Sequence, residues 1–368
     1  MHEIMGRIWT NYASRFKILM AILLLLPSCG NKLDSDTFFN FPISEIRDSK
    51  TETALEIPFI DNPGGRLVDC VIKDSLLFSF SNTDHGYAYS VSSINSGELV
   101  CQLFKRGRAG NEPLWVMPIW DLYEEDGNTK GLMFAYHDAR LFVCDITSSL
   151  SSGQDKYDRV VRLEWNGEGL MPLSQYYHLS DSTMIGYNTM VGEGDVFMVR
   201  PPAFEIYDTY TGKLLERYET FNMIDYESDD KEYTSRNYLY NYCDIKPDRS
   251  KLVFCMAYMS QINVMDIATG ETKGFKIKGH EDFTTKGRVW HFTATQCDDE
   301  YIYALYSDKG KENMFSDILY VFDWNGNVKR KYRLDNSFTR LCLDGDMLYF
   351  SHGGADKLFG ISTTSLIN

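Results

Sequence analysis

Positive charge is scarce in this sequence. It has 37 Lys and Arg residues against 52 Asp and Glu residues, which gives a formal net charge of -15 over 368 residues. A strongly acidic surface repels the phosphate backbone, so nucleic acid is not an expected partner. It also repels anionic lipid headgroups, which argues against attachment to a membrane surface by charge alone.

Long hydrophobic runs are also missing. The apolar run near the start, Ile18–Leu26, has nine residues, whereas a helix needs about 20 to cross a bilayer. Arg7, Arg15 and Lys17 precede it, and a basic stretch followed by a short apolar core is typical of a secretory signal. We therefore predict a cleaved signal peptide over residues 1–28.

The residues after this run resemble the lipobox of bacterial lipoproteins. In the stretch 26–30, Leu-Pro-Ser-Cys-Gly, a small residue directly precedes the Cys and an aliphatic residue lies three positions before it. In such proteins the thiol receives a diacylglycerol and the freed amine a further chain such as palmitate, because one chain alone anchors weakly. The resemblance implies lipid attachment at Cys29 and a place in the outer membrane on its periplasmic or cell-surface side. The small and polar residues that follow Cys29 predict a flexible tether, and the lipidated Cys and tether are assigned to residues 29–51.

The remaining cysteines lack the spacing of a metal or redox motif. There are seven, an odd number, and no two form Cys-x-x-Cys, so neither a zinc site nor a redox motif is predicted. Free thiols are expected, since a buried thiol behaves as a small apolar residue. Cys243 and Cys255 flank the turn at 248–250 symmetrically, and they are the one pair considered for a disulfide, which an envelope compartment permits.

A repeated unit dominates the rest of the chain. No long stretch after Cys29 has the apolar spacing of a helix, and aromatic residues make up 14% of the sequence, which favours strands. An alternating strand, often ending in Asp and followed by a polar turn, occurs six times. The strand-ending positions are Ser93, Asp145, Asp208, Asp266, Asp323 and Ser362. A strand hairpin precedes each copy and a short run follows all but the last, so each unit supplies four strands joined by tight turns.

Four-stranded units repeated six times predict an all-β fold, a six-bladed β-propeller over residues 52–368 with antiparallel blades. Each blade has two apolar faces that must pack on its neighbours, so the ring has to close. The last unit lacks its fourth strand, and the spare N-terminal strand at 53–60 is predicted to supply it.

The chain resembles the TolB-like six-bladed propeller lipoproteins of Bacteroidetes, which are mostly uncharacterised. The similarity lies in the Gly-rich turn ending in Glu at Val100–Glu112, in Leu179–Gly186, and in the Pro-Asp turn of Lys246–Val253. These motifs are specific for propeller blades and poor guides to function. The resemblance therefore implies a fold and a cellular location, but no particular ligand.

The two faces of the predicted ring differ in their connections. Turns between the first and second strands, and between the third and fourth, are short, whereas the other connections are long and carry Arg and Tyr, which are common at binding hot spots. The predicted binding residues on these long connections are Arg106, Arg108, Tyr226, Tyr233 and Arg236. Trp115 and Trp290 lie on the same face and are expected to be buried between blades.

Catalytic motifs are not recognisable from spacing. The Gly-rich stretch at Gly107–Gly110 opens no predicted helix, so it is not a phosphate loop, and no catalytic residue, metal site or cofactor is assigned. Several acidic residues and one His are expected near the axis, where some propeller hydrolases and lactonases bind a divalent metal. These are Asp69, Asp121, Asp244, His291 and Asp344. We predict a binding or scaffolding module for an envelope protein or glycan; the alternative is a hydrolase or lyase with a metal in the central channel.

Overall fold

The strands fall into six separate sheets, one for each predicted repeat. The computed structural model describes residues 38–48, 53–60, 69–81, 86–107, 112–165, 173–189, 202–222, 239–279, 289–307, 315–352 and 357–367. The prediction of an all-β, six-bladed propeller is confirmed. Cys29 and the predicted signal peptide lie outside the described residues, among which no helix has the length and hydrophobicity needed to cross a membrane.

Three short strands precede the first blade: β1 (Ile43–Ile46), β2 (Thr53–Leu55) and β3 (Phe59–Ile60). Blade 1 contains β4 (Cys70–Lys73), β5 (Leu76–Phe80), β6 (Tyr87–Ser93) and β7 (Leu99–Lys105). Blade 2 contains β8 (Val116–Met117), β9 (Leu122–Glu125), β10 (Asn128–Ala135), β11 (Arg140–Asp145) and β12 (Tyr157–Arg162). Its innermost strand is interrupted, because β8 and β9 both pair with β10.

Blade 3 contains β13 (Leu173–Ser180), β14 (Thr183–Asn188), β15 (Ala203–Asp208) and β16 (Leu214–Tyr218). Blade 4 contains β17 (Asn241–Ile245), β18 (Lys251–Met256), β19 (Gln261–Asp266) and β20 (Thr272–Ile277). Blade 5 contains β21 (Phe292–Cys297), β22 (Tyr301–Tyr306), β23 (Ser316–Asp323) and β24 (Val328–Phe338). Blade 6 contains β25 (Arg340–Asp344), β26 (Met347–Ser351) and β27 (Leu358–Ser362), joined by β3. The strands of a blade are called A to D from the channel outward.

The repeated Asp closes the turn between strands C and D. The Asp208 carboxylate accepts hydrogen bonds from the backbone N–H groups of Tyr210 and Thr211 at 2.9 and 2.7 Å. Gly212 follows with a φ of 73°. Glycine adopts this left-handed conformation at little steric cost because it has no side chain. In blade 2 the equivalent Asp145 instead caps a helix, α1 (Ile146–Ser152), by accepting from the N–H of Ser148. A second helix, α2 (Thr363–Ile367), follows β27.

Apolar side chains of consecutive blades pack face to face and form the core. Leu305 and Val321 of blade 5 meet Leu348 and Phe350 of blade 6, and all four are fully buried. Phe204 of blade 3 packs on Phe254 of blade 4, with ring centroids 5.1 Å apart. Because each sheet buries both faces in this way, the six blades stabilise one another rather than folding as separate units.

The N-terminal segment runs along the outer edges of several blades. β1 pairs in parallel with β20, β2 pairs in parallel with β24, and β3 pairs antiparallel with β27. Before β1, Phe38 and Phe39 are buried, and Phe39 forms a bridge with Phe221. Strand edges that would otherwise be open for pairing with other chains are thus covered.

Two expectations for this segment need correction. Residues 38–48 were expected to belong to a flexible tether, but they pack on the propeller because Phe38 and Phe39 find apolar partners there. Residues 53–60 were expected to form one strand on the last blade, but Thr53–Leu55 lies on blade 5 and Phe59–Ile60 alone on blade 6. That the ring depends on this last pairing for its stability stays a prediction.

Candidate functional site in the central channel

The A strands of all six blades surround a cavity of about 460 Å³. It extends from Asp69, Tyr242 and Arg340, near the start of the A strands, to the turns between strands A and B, where Arg249 and Asp299 line it. A cavity of this size is in the range that holds a small molecule.

A recurring hydrogen bond joins the A strands of successive blades. An Asp or Gln side chain on or beside one A strand accepts the backbone N–H of the next blade's A strand or of the turn after it. The acceptor and donor residues are Asp121 and His178 (3.3 Å), Gln175 and Cys243 (2.8 Å), Asp244 and Cys297 (2.7 Å), Gln296 and Leu343 (2.9 Å), and Asp344 and Ser75 (3.4 Å). Five of the six blade junctions therefore share one kind of bond, and these polar residues hold the ring together.

Two arginines neutralise carboxylates at the channel wall. Arg249 Nη1 and Nη2 lie 2.8 and 3.2 Å from the two carboxylate oxygens of Asp121, and Arg340 Nη2 lies 3.0 Å from Asp69 Oδ1. The bidentate pairing of Arg249 with Asp121 is among the stronger kinds of polar contact in proteins. Arg249 has a φ of 62°, which is uncommon for a residue other than glycine. The Pro-Asp-Arg-Ser turn at 247–250 thus directs a cation into the channel.

Asp244 differs from the other channel carboxylates. Burial raises its pKa to about 7, although hydrogen bonds from the backbone of Ile245 and from Cys297 act in the opposite direction. The negative charge of Asp121 adds to the increase. Asp244 is consequently a carboxyl group that exchanges its proton near neutral pH.

The predicted axial residues separate into two groups. Asp69, Asp121, Asp244 and Asp344 do line the cavity. His291 is not among the lining residues; it is buried, and its Nδ1 lies 2.9 Å from the Tyr306 hydroxyl. Within the described residues, no three His, Cys, Asp or Glu side chains come close enough to bind one metal ion. The alternative of a metal-dependent hydrolase or lyase therefore has no supporting ligand cluster there.

Of the predicted binding residues, only Arg106 is described. Its side chain is buried, its guanidinium lies 5.2 Å from the centre of the Phe80 ring, and it donates a hydrogen bond to the backbone oxygen of Ser81. Arg106 is therefore part of the blade and not an exposed contact. Arg108, Tyr226, Tyr233 and Arg236 lie outside the described residues.

Two further expectations can be compared with the structure. Trp115 is 39% exposed, so the expectation that it is buried between blades is wrong, whereas Trp290 is half-buried and packs on Tyr258. Cys243 and Cys255 are free thiols. The Cys243 thiol lies 2.9 Å from Asn241 Oδ1, to which it donates.

Sequence reasoning missed Arg249, Arg340, Gln175 and Gln296. For Arg249 a signal was present, because a tight Pro-Asp turn that ends in Arg places a long cation next to the A strand. The two glutamines gave no signal, because an isolated Gln in a strand has no local feature that distinguishes a junction from a solvent-facing position.

Solved structures with a similar backbone are propellers of distant sequence. A member of the DUF4221 family from Bacteroides vulgatus has a TM-score of 0.56 and 12% identity, over 88% of this chain and 94% of that chain. Regucalcin, a calcium-binding protein from Agrobacterium tumefaciens, has a TM-score of 0.48 and 13% identity, over 84% of this chain and 95% of that chain. No protein-family model and no curated protein matches the sequence. The similarity to the Bacteroides vulgatus structure shows the fold alone.

Proposed function

We propose that this chain is a membrane-anchored lipoprotein whose propeller serves as a binding or scaffolding module for a protein or glycan of the cell envelope. The observation that carries the proposal is the difference between the two faces of the ring. Several turns between strands A and B have only two residues, namely 74–75, 181–182 and 345–346. The connections from strand D to the next strand A are much longer: residues 219–240 connect β16 to β17, and residues 278–291 connect β20 to β21.

Long connections on a rigid scaffold are where binding residues concentrate, because the fold itself does not require them. The tight turns have a structural role already, as the Asp208 turn illustrates. The face that carries the long connections is therefore the proposed docking surface, and we name it the loop face.

The contacts of the channel carboxylates do not favour the alternative of a hydrolase or lyase. Asp121 and Asp69 are paired with arginines, and Asp244 accepts a backbone hydrogen bond from the next blade. A general acid or base has to reach a substrate proton, and these carboxylates are already engaged in holding the ring.

The proposed anchor would hold the propeller near the membrane. Phe38 lies nine positions after Cys29, and a fully extended chain over nine positions spans about 30 Å. Phe38 is buried against the propeller, so lipid at Cys29 would keep the outer edge near Phe221 within this distance of the bilayer.

Charge reversal on the loop face tests the proposal. We expect Arg108→Glu with Arg236→Glu to reduce the recovery of partners that are crosslinked to the chain in intact envelopes, with little change in thermal midpoint. The matched control reverses two exposed lysines away from this face, Lys213 in a turn between strands C and D and Lys273 on strand D of blade 4.

The control variant should recover the same partners as the unmodified chain. Loss of partners in the control, with full recovery in the Arg108 and Arg236 variant, would place the docking surface elsewhere. If neither variant nor the unmodified chain recovers any partner above a lipidated unrelated protein, the binding role itself would be wrong.

A further inference from the structure

Two thiols face each other where the ring closes. Cys70 lies in β4, the A strand of blade 1, and Cys342 lies in β25, the A strand of blade 6. Their Sγ atoms are 3.5 Å apart, and the Cys342 Sγ lies 3.2 Å from the backbone oxygen of Cys70. The two residues are 272 positions apart in the chain, so they meet only because the ring closes.

Among the described residues, the seam between blades 6 and 1 also has the ion pair of Arg340 with Asp69 and the hydrogen bond from the Ser75 N–H to Asp344, but its apolar packing is modest. The pairing of β3 with β27 consists of two residue pairs, Ile60 with Leu358 and Phe59 with Phe359. The described core across this seam has six buried residues, against fourteen between blades 5 and 6. A covalent link at the seam would therefore add stability where the described core is smaller than that between blades 5 and 6.

We propose that Cys70 and Cys342 form a disulfide that joins the first and last blades at the channel wall. Side chains whose sulfur atoms are already in contact can reach bonding geometry with small shifts. The bond would close a loop containing most of the propeller, and long loops are those for which a crosslink restricts the unfolded chain most. In the cell this inference rests on the proposed envelope location, because disulfides persist in oxidising compartments, but it does not depend on the identity of any partner.

The reaction is a two-step exchange with a disulfide oxidant, either a small disulfide or a thiol–disulfide exchange protein of the envelope. Cys70 is half-exposed, and both cysteines line the cavity. The Cys70 thiolate attacks one sulfur of the oxidant, whose S–S bond breaks, and the first oxidant thiol leaves with a proton. Cys342 then loses its proton and attacks Cys70 Sγ, which breaks the mixed disulfide and releases the second oxidant thiol.

In this exchange two protein thiols give up two electrons and two protons, and one oxidant disulfide is reduced to two thiols. The order of attack follows from the surroundings of the two residues. The hydrogen bond with Cys70, together with burial, raises the pKa of Cys342 well above its ordinary value. Cys70 is only half-buried whereas Cys342 is buried, so Cys70 is the sulfur that the oxidant reaches first.

Oxidation of the purified full-length chain with oxidised glutathione tests the proposal. We expect two free thiols to be lost, and a crosslinked peptide that contains Cys70 and Cys342 to appear in non-reducing peptide mass spectrometry. The thermal midpoint of the oxidised protein should rise by roughly 3–8 °C, and dithiothreitol should reverse the change.

Variants separate this pair from the other thiols. Cys70→Ser and Cys342→Ser should each prevent the loss of two thiols and the rise in thermal midpoint. Cys101→Ser is the matched control, because Cys101 is also half-exposed and lies on the outer strand of the same blade; it should behave like the unmodified chain.

The comparison of oxidised and reduced unmodified protein needs no substitution, so a variant that fails to fold does not remove the test. A folded protein in which Cys70 and Cys342 both stay free after oxidation would overturn the proposal. A stable mixed disulfide of Cys70 with glutathione, with the Cys342 thiol still free, would overturn it as well.

Discussion

The Arg249 guanidinium donates hydrogen bonds to both carboxylate oxygens of Asp121, at 2.8 and 3.2 Å, although the two residues are 128 positions apart in the sequence. Arg249 lies in the turn between strands A and B of blade 4, and Asp121 directly precedes β9 of blade 2. The contact therefore joins two blades that are not neighbours in the ring. The two side chains are 22% and 12% exposed, so the pair is only partly screened by solvent. This side-chain contact links the two blades through the channel, in addition to the packing between neighbouring sheets.

Removing either partner of this pair should destabilise the protein. Arg249→Ala and Asp121→Asn should each lower the free energy of unfolding by about 1–3 kcal/mol, because each leaves a partly buried polar group without its partner. In a double-mutant cycle measured by urea denaturation, the coupling energy should be about 1 kcal/mol or more.

The exposed pair of Lys273 and Glu271, 3.8 Å apart, provides the control for this cycle. Lys273→Ala should change the free energy of unfolding by less than about 0.5 kcal/mol. If the effects of the Arg249 and Asp121 substitutions simply add, the channel contact contributes nothing specific.

The half-buried carboxyl of Asp244 should make stability depend on pH. Its pKa is raised to about 7 in the folded protein, against about 3.9 in an unfolded chain. The folded state therefore holds a proton that the unfolded state releases, and this group's contribution to stability falls as pH rises from about 4 to 7.

Asp244→Asn should remove that dependence. Relative to the unmodified protein, the variant should become more stable with rising pH, by on the order of 3 kcal/mol between pH 4.5 and pH 8. Urea denaturation at the two pH values measures the difference. Asp299→Asn, at a 67% exposed side chain, is the control; a pH-independent difference for Asp244→Asn would show that the carboxyl is ionised at both pH values.

Truncation should show where the packed N-terminal segment begins. Deleting residues 30–37 should leave stability unchanged within about 0.5 kcal/mol, because these residues are mostly small and polar and belong to the predicted tether. Deleting residues 30–48 removes two buried Phe side chains, β1, and the contact between Asp48 and Lys331 at 2.8 Å. We expect a loss of at least about 3 kcal/mol.

Deleting residues 30–60 also removes β3 and should have the largest effect, including a tendency to aggregate through the open edge of blade 6. Thermal and urea unfolding of the three truncations, with light scattering, measure the series. Equal stability of the shortest and longest deletions would mean that the ring does not depend on its N-terminal strands.

Lipid attachment is tested at Cys29. Cys29→Ala should leave the chain unprocessed or release it from membranes, because the thiol that would carry the diacylglycerol is gone. Fractionation of the envelope and mass spectrometry of the N-terminal peptide measure the outcome, with Cys101→Ser as the variant that should stay membrane-bound. If Cys29→Ala remains with the membranes and the unmodified chain carries no acyl group, the chain is not a lipoprotein.

Arg106 should behave as a structural residue. Arg106→Ala removes its contact with the Phe80 ring and its hydrogen bond to Ser81, and should lower the free energy of unfolding by about 1–3 kcal/mol. Arg108→Ala is the neighbouring control and should leave stability unchanged. Equal, small effects would return Arg106 to the set of surface binding candidates.

The repeated strands and turns could be predicted because their causes are local. Alternation along a strand and the Asp that closes the next turn act within a few residues, as Asp208 does on Tyr210 and Thr211. The same is true of the six-fold count, since each unit carries its own strand and turn pattern, although the last unit lacks its fourth strand. The candidate site was predicted only in part: four carboxylates do reach the channel, but their partners were not foreseen.

Sequence alone thus determined an all-β ring of six units, its acidic character and the residue types that turn each hairpin. Tertiary structure decided which blade each N-terminal strand joins, that Arg249 meets Asp121, and that Cys70 meets Cys342 across 272 positions. The physical reason is the sequence distance over which the interactions act. Turns and alternating strands arise from residues that are close in the chain, whereas these partners depend on how six sheets pack and close into a ring, which no short stretch of sequence determines.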